Sequence, residues 1–309
     1  MTKKLRDVVR FRGDRLFNGA VNMGWFETDP KRRDLASSSF VFHGPAYHGI
    51  SQKDIGVSHG HNLIDTANFT RSIIRQCHGL DDQSFTLAIA GYGTGKSHLG
   101  LTLATLLSKP DSETATQILE SIESVDREIG LETRNLITAN TKPCLVVALN
   151  GMQNFDLTAE ITRQILIQIK AQDLDIRAID ELRPRFAQAI NLIKMATANQ
   201  ELMTELINST NLESIDDVLA QLGDQDDGVY KNVHKVLSDK NIQITALGGE
   251  SIRDVLDVTT REYCGDDKPF QSLLILFDEF GRYTEFATIR SHIAGSGVLQ
   301  DLFEGIQNN

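Results

Sequence analysis

The stretch AGYGTGKSH, Ala90 to His98, decides how this chain reads. It follows the apolar run FTLAIA (85–90) and precedes LGLTLATLL (99–107), so the order is strand, glycine-rich turn, helix. Ala90, Gly95, Lys96 and Ser97 fill the spacing A/G-x-x-x-x-G-K-S/T, and Gly91 and Gly93 add the backbone freedom that a tight anion-wrapping turn requires. Backbone N–H groups of such a turn point inward at phosphates, and the helix that starts near Gly95 offers them its positive end. The expected phosphate contacts are Gly91, Tyr92, Gly93, Thr94, Gly95, Lys96, Ser97 and His98. Lys96 would reach the β- and γ-phosphates, and Ser97 would ligate magnesium.

A second stretch supplies what the loop lacks. In SLLILFDEFGRY (272–283) five apolar residues, Leu273 to Phe277, read as a buried strand that presents Asp278 and Glu279 at its C-terminal end. Ligands of parallel α/β folds bind at that edge of the sheet, which would bring the pair beside Lys96 and Ser97. There Asp278 would hold magnesium through water, and Glu279 would orient and deprotonate the attacking water. Between the two motifs, KPCLVVALNG (142–151) reads as a buried parallel strand bounded by Pro143 and Gly151.

The Asp-Glu doublet selects among nucleotide-binding classes. The Asn-Lys-x-Asp guanine reader of Ras-like GTPases is missing, as is an LSGGQ-like signature of ABC ATPases. Small-molecule kinases usually lack the second carboxylate. What remains is an α/β P-loop NTPase of the AAA+-like branch, a parallel sheet flanked by helices, with CLVVALN as the extra strand between the Walker A and Walker B motifs. The separation of Ser97 from Asp278 is far longer than one strand and one helix need, so 157–265 reads as a helical insertion.

GYGTGKSHL, LFDEFGRYTEF and the segment FHGPAYHG together resemble the large P-loop ATPase subunits of prokaryotic phage-defence systems, of the BREX or DNA phosphorothioation-linked (Dnd and Ssp) type. The resemblance rests on those motifs, and the insertion carries no signature. It implies ATP-driven assembly or remodelling on DNA beside a nuclease or modification enzyme. The positions carried over are Gly93, Gly95, Lys96, Ser97, Asp278 and Glu279, with ATP and magnesium as cofactors. A scaffold that binds ATP, changes partner affinity and hardly turns over is the alternative; intact Glu279 favours hydrolysis. A helicase tracking on DNA would need further motifs and a second motor domain.

The rest of the chain frames these motifs. Residues 1–20 suggest a short amphipathic helix or an ordered arm, and FVFHGPAYHGI a short strand and a turn at Gly44-Pro45. The first region, 1–61, holds His43, His48, His59 and His61; the last two share one face of an extended segment, a spacing compatible with a metal, but with no Cys and only Asp54 nearby the expected use is polar packing or contact with the ligand. From residue 62 to 309 the chain reads as the ATPase core. It holds a helix in 62–78 capped by Asp65 or Thr66, a helix Lys96 to Leu107 stopped at Lys109-Pro110, and a second amphipathic helix in 111–140. The insertion is helical by period, with caps at Ser214 and Ser251, a turn at 223–228, and a strand or loop at 241–249. After Glu279 come a helix with Phe286, Ile289 and Ile293 on one face, a break at Gly295-Ser296-Gly297 and a second helical run. No further apolar strand appears there, so the expectation is an N-terminal piece of a longer protein, or one whose site a partner or oligomer completes, with Arg282 and Arg290 the local candidates for an arginine finger.

Composition sets the outer bounds. The 309 residues are 40% hydrophobic and carry a formal net charge of −11, which argues against a general nucleic-acid coat. Within residues 1–33, however, Lys3, Lys4, Arg6, Arg10, Arg12, Arg15, Lys31, Arg32 and Arg33 outnumber Asp7, Asp14, Glu27 and Asp29, so this arm either touches DNA or packs on the acidic body. Three separated cysteines, Cys77, Cys144 and Cys264, suggest neither a disulfide framework nor a zinc finger, and no apolar run is long enough to span a membrane. Cytoplasmic residence is the expectation.

Overall fold

A computed structural model describes residues 17, 19–45, 64–91, 93–139, 141–244, 251–295 and 297–308. The fold is α/β and mostly helical, with a two-stranded parallel sheet among the described residues. The chain divides into two compact units, 1–150 with 269–279 and 151–268 with 280–309.

The first unit holds α1 (Trp25–Thr28), α2 (Pro30–Ser39), α3 (Thr66–Cys77), α4 (Lys96–Ser108), α5 (Glu113–Val125), α6 (Arg127–Ala139), β1 (Leu145–Asn150) and β2 (Leu273–Asp278). Local chemistry sets most boundaries. The Asp29 carboxylate caps α2 at the Arg32 amide, with Pro30 in first position, and Asp65 caps α3 at Asn68. The single helix expected in 111–140 is two. Asp126 is extended and its Oδ1 accepts from the Ile129 amide, which starts α6 and ends the run of α5. Gly130 then lets the two helices close together, since a Cβ there would lie 2.3 Å from Glu123 Cα.

β1 and β2 pair in parallel from Leu145↔Leu273 to Asn150↔Asp278. β1 is buried, and α4 lies across both strands, with Leu101 packed among Ala148, Leu276 and Met23. On the core side, Leu103, Leu106, Ile118, Ile122 and Ile137 gather with Val146, Ile74 and Phe42. Cys77 and Cys144, far apart in sequence, meet in this core as free thiols, with Cys144 Sγ 3.4 Å from Ser272 Oγ. Their mutual hydrogen bond and then burial push Cys77 well above the ordinary thiol range.

Two strand expectations fail here. Residues 82–90 form no strand, and Leu87 and Ile89 are 57% and 71% exposed. A strand needs a neighbour's hydrogen-bonding edge, and this apolar run has none among the described residues. Residues 41–44 likewise form no strand, and Phe40 and Phe42, edge to face at 4.8 Å, are buried in the core of the first unit.

The second unit holds α7 (Leu157–Ala171), α8 (Arg177–Leu182), α9 (Pro184–Met195), α10 (Gln200–Thr210), α11 (Ile215–Gly223), α12 (Asp227–Asp239), α13 (Ile252–Tyr263), α14 (Phe280–Ile289), α15 (Ser291–Ala294) and α16 (Val298–Asn308). Ser214 and Ser251 cap α11 and α13 as their positions imply, and Ser251 with Asp254 forms a full capping box. Phe186, Leu206, Val218, Leu222, Val233 and Leu237 form its core. Arg183, 1% exposed, ties α8 and α9 to the start of α12: Nη2 donates to Asp227 Oδ2 (2.5 Å) and Nη1 to Gln225 Oε1 (3.1 Å). Such a buried pair holds its geometry because removing one partner strands the other's charge. Residues 241–244 form no strand, and 245–249 lie outside the described residues. Ile289, expected on an apolar face, is exposed, because α14 ends there and α15 starts in a new direction after Arg290.

Candidate functional site

The glycine-rich loop has the backbone its sequence requires. Gly93 and Gly95 have φ of 76° and 88°, a left-handed conformation that strains any residue with a Cβ. Gly95 is the N-cap of α4 and supplies no side-chain acceptor, which leaves the first-turn N–H groups open to an anion. The Thr94 hydroxyl donates to the Gly91 carbonyl (2.8 Å) and braces the turn. Lys96 is exposed and folds back on the loop, with Nζ donating to the carbonyls of Ala90 (3.0 Å) and Gly91 (2.9 Å). To meet a phosphate it must exchange those two contacts. Ser97 is half-buried on the first turn; Tyr92 lies outside the described residues.

His98, the last of the expected phosphate contacts, is used in packing. Its Nε2–H donates to the Ala36 carbonyl (2.6 Å), and its ring meets Phe40 edge-on at 5.0 Å, which fixes α4 to α2. Burial lowers its pKa and keeps the ring neutral.

At the carboxyl end of the sheet, Asp278 closes β2 half-buried and Glu279 follows it exposed. Glu279 has φ 53°, one of the few non-glycine left-handed residues among those described, and its N–H donates to Asp278 Oδ1 (3.1 Å). A strained backbone at a proposed water-activating residue is where strain is commonly found. α4, which begins at Lys96 and Ser97, packs through Leu99 and Leu101 on clusters that include Leu274 and Leu276 of the same strand. No group of three or more His, Cys, Asp or Glu among the described residues is arranged to hold a metal. Ser97 and Asp278 carry the oxygen atoms that could ligate a magnesium ion here, an ion that usually keeps phosphate oxygens and water as its other ligands.

One residue at this edge escapes a motif-based reading. Asn150 ends β1 opposite Asp278, and its Nδ2 donates to Asn22 Oδ1 (3.3 Å). The signal was present: LVVALN ends on a polar residue just as LLILFD does. Tyr283, one helical turn beyond Glu279, is fully buried, and its hydroxyl donates to the Phe155 carbonyl (3.1 Å). Arg282 and Arg290 are exposed.

The basic arm separates by residue. Lys31 and Arg32 are exposed, with Arg32 over the Trp25 ring at 5.6 Å, whereas Arg33 is buried against Phe26 and bonded to Asp34 (2.8 Å). Residues 1–16 lie outside the described residues, as do His48, His59 and His61; the His43 backbone is held by the Thr66 hydroxyl (2.8 Å). No helix among the described residues is long and apolar enough to cross a membrane. Comparison with models of known protein families, with curated proteins and with solved structures finds no match to this chain.

Proposed function

We propose that this chain is a P-loop NTPase that binds ATP with magnesium and hydrolyses it. The observation that carries the reading is the loop backbone: left-handed Gly93 and Gly95 lead into an α4 with open N-terminal amides and Lys96 beside them. Those amides and Lys96 would hold the phosphates, and Ser97 and Asp278 the magnesium, which draws charge from the γ-phosphate. Glu279 would accept the proton of the attacking water. The motif resemblance supports a further step, in which turnover drives assembly or remodelling on DNA within a cytoplasmic phage-defence complex that includes a nuclease or modification enzyme. Of the basic arm, Lys31 and Arg32 are exposed and could serve that contact, whereas Arg33 is buried and bonded to Asp34.

A second reading, a nucleotide sensor with little turnover, draws on the two carbonyls that hold Lys96 in the loop. Glu279→Gln separates the two readings. Hydrolysis predicts that this variant keeps the affinity of the unsubstituted protein for a fluorescent ATP analogue and loses phosphate release. Loss of affinity and turnover together would make Glu279 structural.

A further inference from the structure

Cys77 and Cys144 lie on separate elements of the first unit, and neither belongs to the loop or the sheet edge that forms the candidate site. Cys77 is the last residue of α3, and Cys144 directly precedes β1. Both are free thiols of one apolar cluster, 8% and 2% exposed. Their side chains meet: the Cys77 S–H donates to Cys144 Sγ, which also lies 3.4 Å from Ser272 Oγ. Two thiols in contact need only a two-electron oxidation to become a disulfide.

The two thiols are unequal. The hydrogen bond from Cys77 lowers the Cys144 pKa, the Ser272 hydroxyl and backbone add to it, and together they outweigh the burial that opposes them. The same bond and burial push Cys77 up. Because the thiolate is the nucleophile in thiol oxidation, Cys144 is the attacking sulfur and Cys77 the resolving one. Cys144 is also fixed in place: its N–H donates to the Leu107 carbonyl (2.8 Å), and Leu145 N–H to the Ser272 carbonyl (2.9 Å). Cys77, by contrast, stands on the last turn of α3, beside exposed Gly79 and Leu80. Helix ends open most readily, and opening here admits a small oxidant.

We infer that Cys77 and Cys144 form a peroxide-oxidisable pair whose disulfide staples α3 to the start of β1. The Cys144 thiolate attacks one oxygen of hydrogen peroxide; an S–O bond forms, the O–O bond breaks, and hydroxide leaves and takes up the proton lost by Cys144. The Cys77 sulfur then attacks the sulfenic sulfur, an S–S bond replaces the S–O bond, and the departing hydroxide takes the Cys77 proton. Each sulfur gives up one electron, the peroxide accepts the pair, and two waters result. The ring closed between residues 77 and 144 takes in the glycine-rich loop, α4, α5 and α6, so the unfolded chain loses much of its freedom.

The test treats the full folded chain with a small excess of hydrogen peroxide, alkylates the remaining thiols and maps the peptides by mass spectrometry. The expected product is a Cys77–Cys144 linked peptide pair that dithiothreitol removes, with Cys264, half-buried and thus the more accessible cysteine, still a thiol. The oxidised protein should unfold at higher urea than the reduced one. Cys77→Ser should halt at a sulfenic acid on Cys144, captured by dimedone, and Cys144→Ser should leave Cys77 unoxidised at the same dose. Oxidation of Cys264 ahead of the pair, or linkage only after unfolding in urea, overturns the assignment. Cys77 oxidised as readily in Cys144→Ser overturns the order of attack, and a urea midpoint that does not rise overturns the staple.

Discussion

CLVVALN and FTLAIA are similar runs of aliphatic and β-branched residues, and they meet opposite fates. Leu145 to Leu149 lie between 0% and 7% exposed, paired with β2 and covered by α4, while Leu87 and Ile89 stand in solvent. Both segments have similar composition and both adjoin the candidate motifs in sequence, so the contrast does not come from intrinsic preference. It comes from partners: a strand is stabilised by a neighbour's edge and by cover on its faces, and FTLAIA has neither among the described residues. β2 stands between the two cases, half-buried throughout despite an LLILF run that reads as fully buried. An apolar run therefore shows what a segment is suited to, and the packing around it decides what it becomes.

Substitutions at the two runs should differ most. Val147→Asp places an unpaired carboxylate in the core and should cost about 4 kcal/mol or more, while Leu87→Asp should stay within about 0.5 kcal/mol. Urea unfolding of both variants tests this, and similar losses would mean that 82–90 is packed in solution. A smaller effect is expected where the strand ends. Glu279→Gly relieves the left-handed strain and should raise stability by up to about 1 kcal/mol while turnover is lost. A destabilised Gly variant would show that φ 53° is not strained in context.

The smallest effect concerns the anchor between α2 and α4. Burial depresses the His98 pKa in the folded protein, so its contribution to stability is full above the unfolded value of about 6.5 and is lost as pH falls through the folded value. Between pH of about 8 and about 5, the unsubstituted protein should lose more stability than His98→Gln. Equal losses would place the acid sensitivity elsewhere, with half-buried His78, whose pKa burial also lowers, the next group to examine.

What was legible in the sequence was local chemistry. Ser214 and Ser251 marked helix starts because a side-chain oxygen next to a helical period has one job, and Gly93 and Gly95 marked left-handed positions because little else tolerates them. CLVVALN and SLLILFD each read as a strand from their apolar runs, and the structure adds that they pair. What could not be read depended on distant partners. Asp126 splits one amphipathic period into two helices through a cap that the period conceals. The side chain of His98 bonds a carbonyl on a helix far back in the chain, a contact that its position in the loop does not reveal. Tyr283 stacks on Phe155, 128 residues earlier, and nothing local to either residue signals it.

The central claim, that Gly93, Gly95 and Lys96 frame a triphosphate site, is tested most directly by calorimetric titration of MgATP into the unsubstituted protein and into Lys96→Ala. Charge-assisted contact with phosphate predicts saturable binding that weakens roughly ten- to hundredfold in the variant. Equal affinity in the two proteins, or no binding to either, would contradict it.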